Sequence, residues 1–411
     1  MNFIFFESIK KDLVLIFGNY FQQIASFVFI IFIAKKISPD TYAIYGSAIL
    51  ITFYLKFLNL GAQFTINKRL SIRSNSSLVN SYLSLIIFSY PVLIAGVLFL
   101  IYIFNLAPLL NDYYLYIWIF LSFDNFNQLV QGVLRAKGLS NILGKSQILI
   151  SICVFILILL FYNWNNYSNP LPLFIKFIIT PVVAGIFLGL YAYSRKIIFP
   201  SRFFKIKNFK FFLIDGVVLM TYVLLQDFLS SIDRLFVAAY YSKYEFGIYS
   251  FAYTIAGPIL LLLRTVMFMD YSRYMKVFKK ISKKDFLNLR PTFLRKFFLI
   301  YFTLFALGGI TSYFLLEYFL IEYKPAFNLI LLMLLLFIPN ILSFQYSIYF
   351  ISSGANKIIT SIIFIAIIIS AIFDLIVVFT NHDIYLLLIS SFVSKLIIYF
   401  LLRFKFNKLN N

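Results

Sequence analysis

Charge is scarce in this chain. Asp, Glu, Lys and Arg together make up 12% of its 411 residues, against about a quarter in a soluble globular domain. So few ionisable groups cannot cover a water-facing surface, which excludes a soluble enzyme or binding domain as the main body. Histidine and cysteine are nearly absent: His382 and Cys153 are the single examples. No disulfide framework and no Cys/His metal cluster can be assembled, so no cofactor is called for. Acidic residues are few as well, 15 against 36 Lys and Arg, for a net charge of +21. A basic surplus can mark a nucleic-acid binder. Here the bases sit in short loops between apolar runs, so membrane topology accounts for them and no nucleic-acid partner is expected. An A-x-A cleavage site is also lacking near the start, so "MNFIFFESIKKD" reads as a short cytoplasmic tail before the first helix.

What is abundant is apolar sequence: 62% of residues, with a mean hydropathy of +0.92. A helix needs about 20 apolar residues to cross the bilayer core. Twelve segments qualify, at 13–34, 42–60, 80–104, 113–134, 142–161, 173–194, 212–238, 247–268, 297–316, 328–350, 358–379 and 384–402. The loops between them are asymmetric. Even-numbered loops carry Lys68, Arg69 and Arg73, then Arg135, Lys137 and Lys145, then Arg195, Lys196, Lys205 and Lys207, then a dense run from Arg273 to Lys296, then Lys357. The tails add Lys10 and Lys11, and Arg403, Lys405 and Lys408. Odd-numbered loops hold only Lys35, Lys36, Lys243 and Lys324. Positive charge stays inside, so both termini and the even loops are expected in the cytoplasm. The segments 195–211 and 273–296 read as basic cytoplasmic linkers lying on anionic headgroups.

One phrase appears twice. "SPDTYAIYGSAI" at 38–49 and "SKYEFGIYSFAY" at 242–253 stand 204 residues apart. Each follows an odd-numbered segment and opens an even-numbered one. Ser38 and Ser242 suit the helix N-cap, Pro39 suits the first helical position, and Ser242-x-x-Glu245 forms a capping box. Small residues follow, Ala43 and Gly46 against Gly247 and Ser250, and the aligned Tyr45 and Tyr249 are expected at headgroup level. At the same offset Gln22 meets Gln226, Gln23 meets Asp227, Ser26 meets Ser230 and Arg69 meets Arg273. Further on, "RAKGLSN" (135–141) and "SSGANKI" (352–358) match at an offset of about 216. A repeat of six helices keeps its topology, so the expected fold is an all-α integral membrane protein of two parallel six-helix lobes. These are residues 1–194 and 212–411, joined by the basic linker 195–211. A substrate site between such lobes and a rocking, alternating-access motion follow.

Three stretches carry a family resemblance: "KKISPDTYAIYGSAILITFYLKFLNLGAQFTINKRLS", "SSIDRLFVAAYYSKYEFGIYSFAYTIAGP" and "GVLRAKGLSNILGKSQ". They resemble polysaccharide-export proteins of the multidrug/oligosaccharidyl-lipid/polysaccharide superfamily, and among these the Wzx-type O-antigen flippases. The resemblance implies a MATE-like fold in a bacterial inner membrane. It implies movement of an undecaprenyl-pyrophosphate-linked repeat unit from the cytoplasmic to the periplasmic leaflet, with membrane lipids and polysaccharide polymerase machinery as partners. It implies no catalysis.

Ionisable residues inside apolar helices are costly and mark function or pairing. Lys56 maps onto Leu260 under the repeat, and Arg264 lies one turn beyond. The two cations are therefore expected to oppose each other across the central cleft and to receive a pyrophosphate head; snorkelling to headgroups is the plainer alternative. Arg234, in "IDRL", is a further cavity candidate or a packing partner with Asp233. Asn19, Gln22, Gln23 and Gln226 place amides on the first helix of each lobe, for sugar hydroxyls or for interhelical bonds. Asp124 and Asp227 are candidate proton carriers, or counter-ions to Lys395 or an arginine. Asp374 and Lys395 read as a structural pair. Two other functions compete. A membrane polymerase or ligase would carry a long basic periplasmic loop, which this chain lacks. A drug or cation antiporter would favour an acidic cavity, and Lys56 and Arg264 point the other way.

Overall fold

The computed structural model describes residues 2–66 apart from 64, 77–195, 216–278 apart from 218, 219 and 222, 283–353, 355–380, and 383–408. The basic loop residues Lys68, Arg69, Arg73, Lys205 and Lys207, together with Asp215 and His382, lie outside this set. Among the described residues the regular structure is all helical, without strands. Among the described residues ten helical stretches are long and apolar enough to span a membrane, which makes this a multi-pass membrane protein.

Two compact units divide at 223/224. The first holds α1 (Asn2–Ala34), α2 (Pro39–Leu55), α3 (Ser77–Ile103), α4 (Tyr114–Ala136), α5 (Ser140–Leu160) and α6 (Leu171–Ser194). The second holds α7 (Ile232–Tyr240), α8 (Lys243–Phe278), α9 (Lys283–Tyr318), α10 (Ala326–Leu335), α11 (Ile338–Ser352), α12 (Asn356–Thr380) and α13 (Ile384–Lys408). The ten spans leave out α4, whose Asp124, Asn125, Asn127, Gln128 and Gln131 lower its apolarity, and the segment expected at 212–238, which is described only in part.

The two units repeat one pattern of neighbours. In the first, α1 packs along α5, α4 along α6, α5 on α6, α3 on α4, and α2 against α4. In the second, α7 packs on α12, α11 along α13, α12 on α13, α9 on α10, and α8 on α10 and α11. The span Ala326–Ser352 is itself broken at Leu336–Phe337, where Pro339 removes a backbone donor and its ring crowds the preceding turn. Packing therefore carries the internal duplication that the aligned residues trace.

The repeated phrase does what its chemistry dictates. Ser38 caps α2 by accepting from the Thr41 N–H at 3.3 Å, with Pro39 in the first turn. Ser242 and Glu245 bond reciprocally ahead of α8: the Glu245 N–H donates to Ser242 Oγ at 3.2 Å, and the Ser242 N–H donates to Glu245 Oε2 at 2.9 Å. The tyrosines behave differently from expectation. Tyr45 and Tyr249 are buried, not at a headgroup surface. Tyr45 packs edge-on against Phe174 and Phe177 at about 6 Å, and Tyr249 spends its hydroxyl on a buried carboxylate. Close helix packing wins over interfacial preference because each ring lies on the face its helix turns inward.

Glycine sets the closest approach in the first unit. A Cβ on Gly144 would lie 2.3 Å from the Val14 carbonyl oxygen, and one on Gly18 would lie 2.4 Å from the Gly144 carbonyl oxygen. The crossing of α1 and α5 thus tolerates no side chain, the small-residue packing typical of helices in lipid. In the second unit α8 and α9 run 36 residues each, about 54 Å at 1.5 Å per residue, against about 30 Å of hydrocarbon. The segment 273–296, expected as a linker, is helical up to Phe278 and again from Lys283.

Candidate substrate and coupling site

In the first unit the site is built on a break in α2. The helix ends at Leu55, and Lys56–Asn59 form a single 3-10 turn. Leu60 and Gly61 then take left-handed conformations, with φ of 52° and 72°. Leucine pays for that backbone where glycine does not, so the break is held by its neighbours. The Asn59 side chain accepts from the Gly61 N–H at 3.0 Å and donates to Asn125 Oδ1 at 3.4 Å. The Tyr90 hydroxyl donates to the Leu55 carbonyl at 3.2 Å, satisfying a helix end. A Cβ on Gly61 would lie 2.2 Å from the Gly216 carbonyl oxygen, so Gly61 is required twice.

The break delivers Lys56 to α4. Its ammonium lies 3.0 Å from Asp124 Oδ2 and 5.2 Å from the centre of the Phe120 ring. Gln128, one turn along α4, donates to the same carboxylate oxygen at 2.8 Å. The side chains of Lys56 and Asp124 keep 37% and 22% of their exposure. The result is a cation held by one carboxylate and one aromatic face, still open to exchange. Of the two expectations for Asp124, proton carrier or counter-ion to Lys395 or an arginine, the structure shows a counter-ion contact, made to Lys56. The break follows Lys56, whose own backbone is still right-handed helical with its N–H bonded to the Thr52 carbonyl. The α8 backbone runs helical through Arg264. The side chain of Arg264 lies outside the described residues.

In the second unit a helix interruption at Ser230–Ser231 precedes α7 and places two charges in its first turn. Asp233 accepts from the Arg234 N–H at 2.9 Å and from the Tyr249 hydroxyl at 2.6 Å. The Arg234 guanidinium is buried over the Tyr253 ring, 3.8 Å from its centre. Asp233, Tyr249, Tyr253, Asn340 and Lys395 line one cavity with Leu260, the repeat counterpart of Lys56. Asp374 is fully buried, accepts from the Ser390 hydroxyl, and lies within electrostatic reach of both Asp233 and Lys395. Arg234 and Lys395 thus belong to one buried, mixed-charge cluster.

The other expected residues are spread out. Asn19 and Gln226 are exposed, and Gln22 and Gln23 are half-buried. Asp227 is half-buried one turn before the interruption, and its carbonyl accepts from Ser230 and Ser231. Sequence reading missed Asn59, Tyr90, Asn125 and Gln128. A signal for two of them was present: Asn59-x-Gly61 as a helix stop, and Asp124 with Gln128 at a spacing of four.

A sequence profile of the polysaccharide biosynthesis protein family matches residues 8–268, well over half of the chain. The chain belongs to that family. Among solved structures, this family member resembles the lipid II flippase MurJ in an inward closed conformation. The TM-score is 0.74 and the identity 14%, over 96% of this chain and 88% of that one. It also resembles an inward-facing multidrug resistance MATE transporter of the MOP superfamily, with a TM-score of 0.65 and 12% identity over 97% and 96%. A MOP superfamily transporter from Pyrococcus furiosus gives a TM-score of 0.56 and 12% identity over 98% and 96%. No curated protein sequence matches the chain. At such identities the likeness establishes the fold, which is that of MurJ and the MATE transporters.

Proposed function

We propose that this family member is a flippase for a diphosphate-linked oligosaccharide on a polyprenyl carrier, a polysaccharide repeat unit of the O-antigen type. It would move the unit from the cytoplasmic to the periplasmic leaflet of a bacterial inner membrane by alternating access and release it to polymerase machinery. The observation that carries the reading is the conjunction of a polysaccharide biosynthesis family with a fold shared along 96% of the chain with a lipid II flippase.

Lys56 is the head-group residue in this reading, with Arg264 as its companion, and Arg234 with the amides of Asn19, Gln22 and Gln226 on the saccharide path. A diphosphate cannot enter a low-dielectric passage without counter-charge. In the structure Asp124 occupies Lys56 at 3.0 Å. An arriving phosphate oxygen replaces the carboxylate, and a proton taken up by Asp124 makes the exchange favourable, since a neutral acid no longer competes for the ammonium. Loss of that proton restores the internal pair and expels the head. Asp227 is the matching candidate in the second unit.

Reconstitution tests this. Proteoliposomes loaded with a fluorescent polyprenyl-diphosphate oligosaccharide should expose the label to an external quencher faster than empty liposomes, and faster with a proton gradient. Rates equal to empty liposomes, or transport of a cationic dye in its place, would reject the flippase reading.

A further inference from the structure

The basic end of the second unit holds a cluster that the transport path does not use. On α9, Phe286, Arg290, Phe293 and Phe297 follow one another at helical spacing. Phe286 and Phe297 are fully buried. Arg290 therefore stands on the inward stripe of the helix, while Lys284, Asp285 and Asn288 take the outward positions. A solubilising arginine would belong among those. Instead its guanidinium lies 4.8 Å from the centre of the Tyr346 ring on α11 and 5.7 Å from that of Tyr399 on α13. Phe286, Tyr346, Tyr349 and Phe406 pack into a cage beside it at ring separations of 4.9–5.7 Å.

A second guanidinium comes to the same place. Arg290 Nη2 donates to the Tyr399 hydroxyl oxygen at 3.3 Å, and Arg403 Nη1 donates to that oxygen at 3.4 Å. Among the described residues neither arginine has a carboxylate at ion-pair distance, and Arg290 Nε is buried without a hydrogen-bond partner. Two like charges converging on one neutral oxygen repel each other. With that oxygen accepting from both, the Tyr399 O–H is left to donate. One hydroxyl donor and two guanidinium forks around one point match the acceptor oxygens of a phosphate. The surroundings favour a phosphate that carries acyl chains. Phe400 and Phe404 flank Arg403 on α13 and are 57% and 53% exposed.

We propose that Arg290, Arg403 and Tyr399 form a binding site for the phosphate of an anionic membrane phospholipid, distinct from the transport path, which fastens the basic ends of α9, α11 and α13 together. Native mass spectrometry of the full-length protein in detergent, with phosphatidylglycerol added, tests it. The wild type should retain phosphatidylglycerol at least fivefold better than zwitterionic phosphatidylethanolamine. Arg403→Gln, an exposed position that leaves packing intact, and Tyr399→Phe should each lose that preference. Arg290→Lys should keep part of it, and Lys284→Gln, the same charge change on the outward face, should keep all of it. Excess inorganic phosphate should fail to displace the lipid. Displacement by inorganic phosphate would assign the site to a free anion and overturn the lipid assignment. Equal retention of the two lipids, or a Lys284→Gln loss as large as that of Arg403→Gln, would show diffuse surface charge and overturn the site itself.

Discussion

Removing one partner of the Lys56–Asp124 pair should have two separable effects. At the 3.0 Å separation seen here, and with an effective dielectric of about 20, the gross attraction is on the order of 5–6 kcal/mol. With over a third of the lysine side chain and about a fifth of the aspartate exposed, water and ions recover much of that. Exposed pairs are worth about 1 kcal/mol or less, and hydrogen bonds to charged groups about 1.5–3. A net coupling of roughly 1–2 kcal/mol is expected. A double-mutant cycle with Lys56→Gln, Asp124→Asn and the double variant, each unfolded by denaturing detergent from mixed micelles, reads that coupling directly. A value below about 0.3 kcal/mol would mean that the two groups lie close without depending on each other.

Transport reads the second effect. If Asp124 competes with the diphosphate for Lys56, Asp124→Asn frees the cation. Apparent affinity for the lipid-linked substrate should then rise about fivefold to thirtyfold, the same 1–2 kcal/mol at 1.4 per tenfold. Turnover should fall, because nothing draws Lys56 away for release. Lys56→Gln should lose affinity instead, and Lys56→Arg should largely keep it. The proton gradient should cease to accelerate the Asp124→Asn variant. A purely structural pair predicts another pattern: both single variants lower the amount of folded protein and leave the kinetics of the remainder unchanged. That outcome would refute the exchange mechanism.

Further expectations follow from the packing. Gly144→Ala and Gly18→Ala each place a Cβ within 2.4 Å of a backbone oxygen, so both should abolish monodisperse protein on gel filtration, whereas Gly96→Ala, with open space around it, should not. Ser38→Ala and Ser242→Ala remove N-cap acceptors and should each destabilise by about 1 kcal/mol in denaturant titrations. Tyr249→Phe strips the 2.6 Å donor from buried Asp233; it should cost about 1–3 kcal/mol in the same titration, and Tyr45→Phe much less. Reporter fusions after residues 75, 140, 205 and 285 should give cytoplasmic signals and those near 108, 166 and 320 periplasmic ones; a uniform inversion would overturn the orientation.

How far the site can be read without coordinates depends on the range of the interaction concerned. The spans and caps are legible because their causes are local: an apolar run of fixed length, a serine before a proline, a glutamate three residues after a serine. The repeat is legible because it needs only one alignment of the chain with itself, and the neighbour pattern of the two units carries it into packing. The partner of Lys56 is not legible, because Asp124 is 68 positions away and several acids qualify equally by hydropathy. What selects Asp124 is the end of α2 at Leu55, and that in turn rests on Asn59 and Gly61. Those two residues stand in a stretch that carries the family resemblance, and neither is charged. The same holds at Tyr45 and Tyr249, whose buried rings overrule the interfacial preference of their type. In both repeats the residues that interrupt or pin a helix are uncharged, and they decide where the charged ones point. The duplicated chain has kept its helices while letting the break in each half diverge. One unit carries a lysine beside a carboxylate at its break, and the other an aspartate and an arginine within a buried cluster.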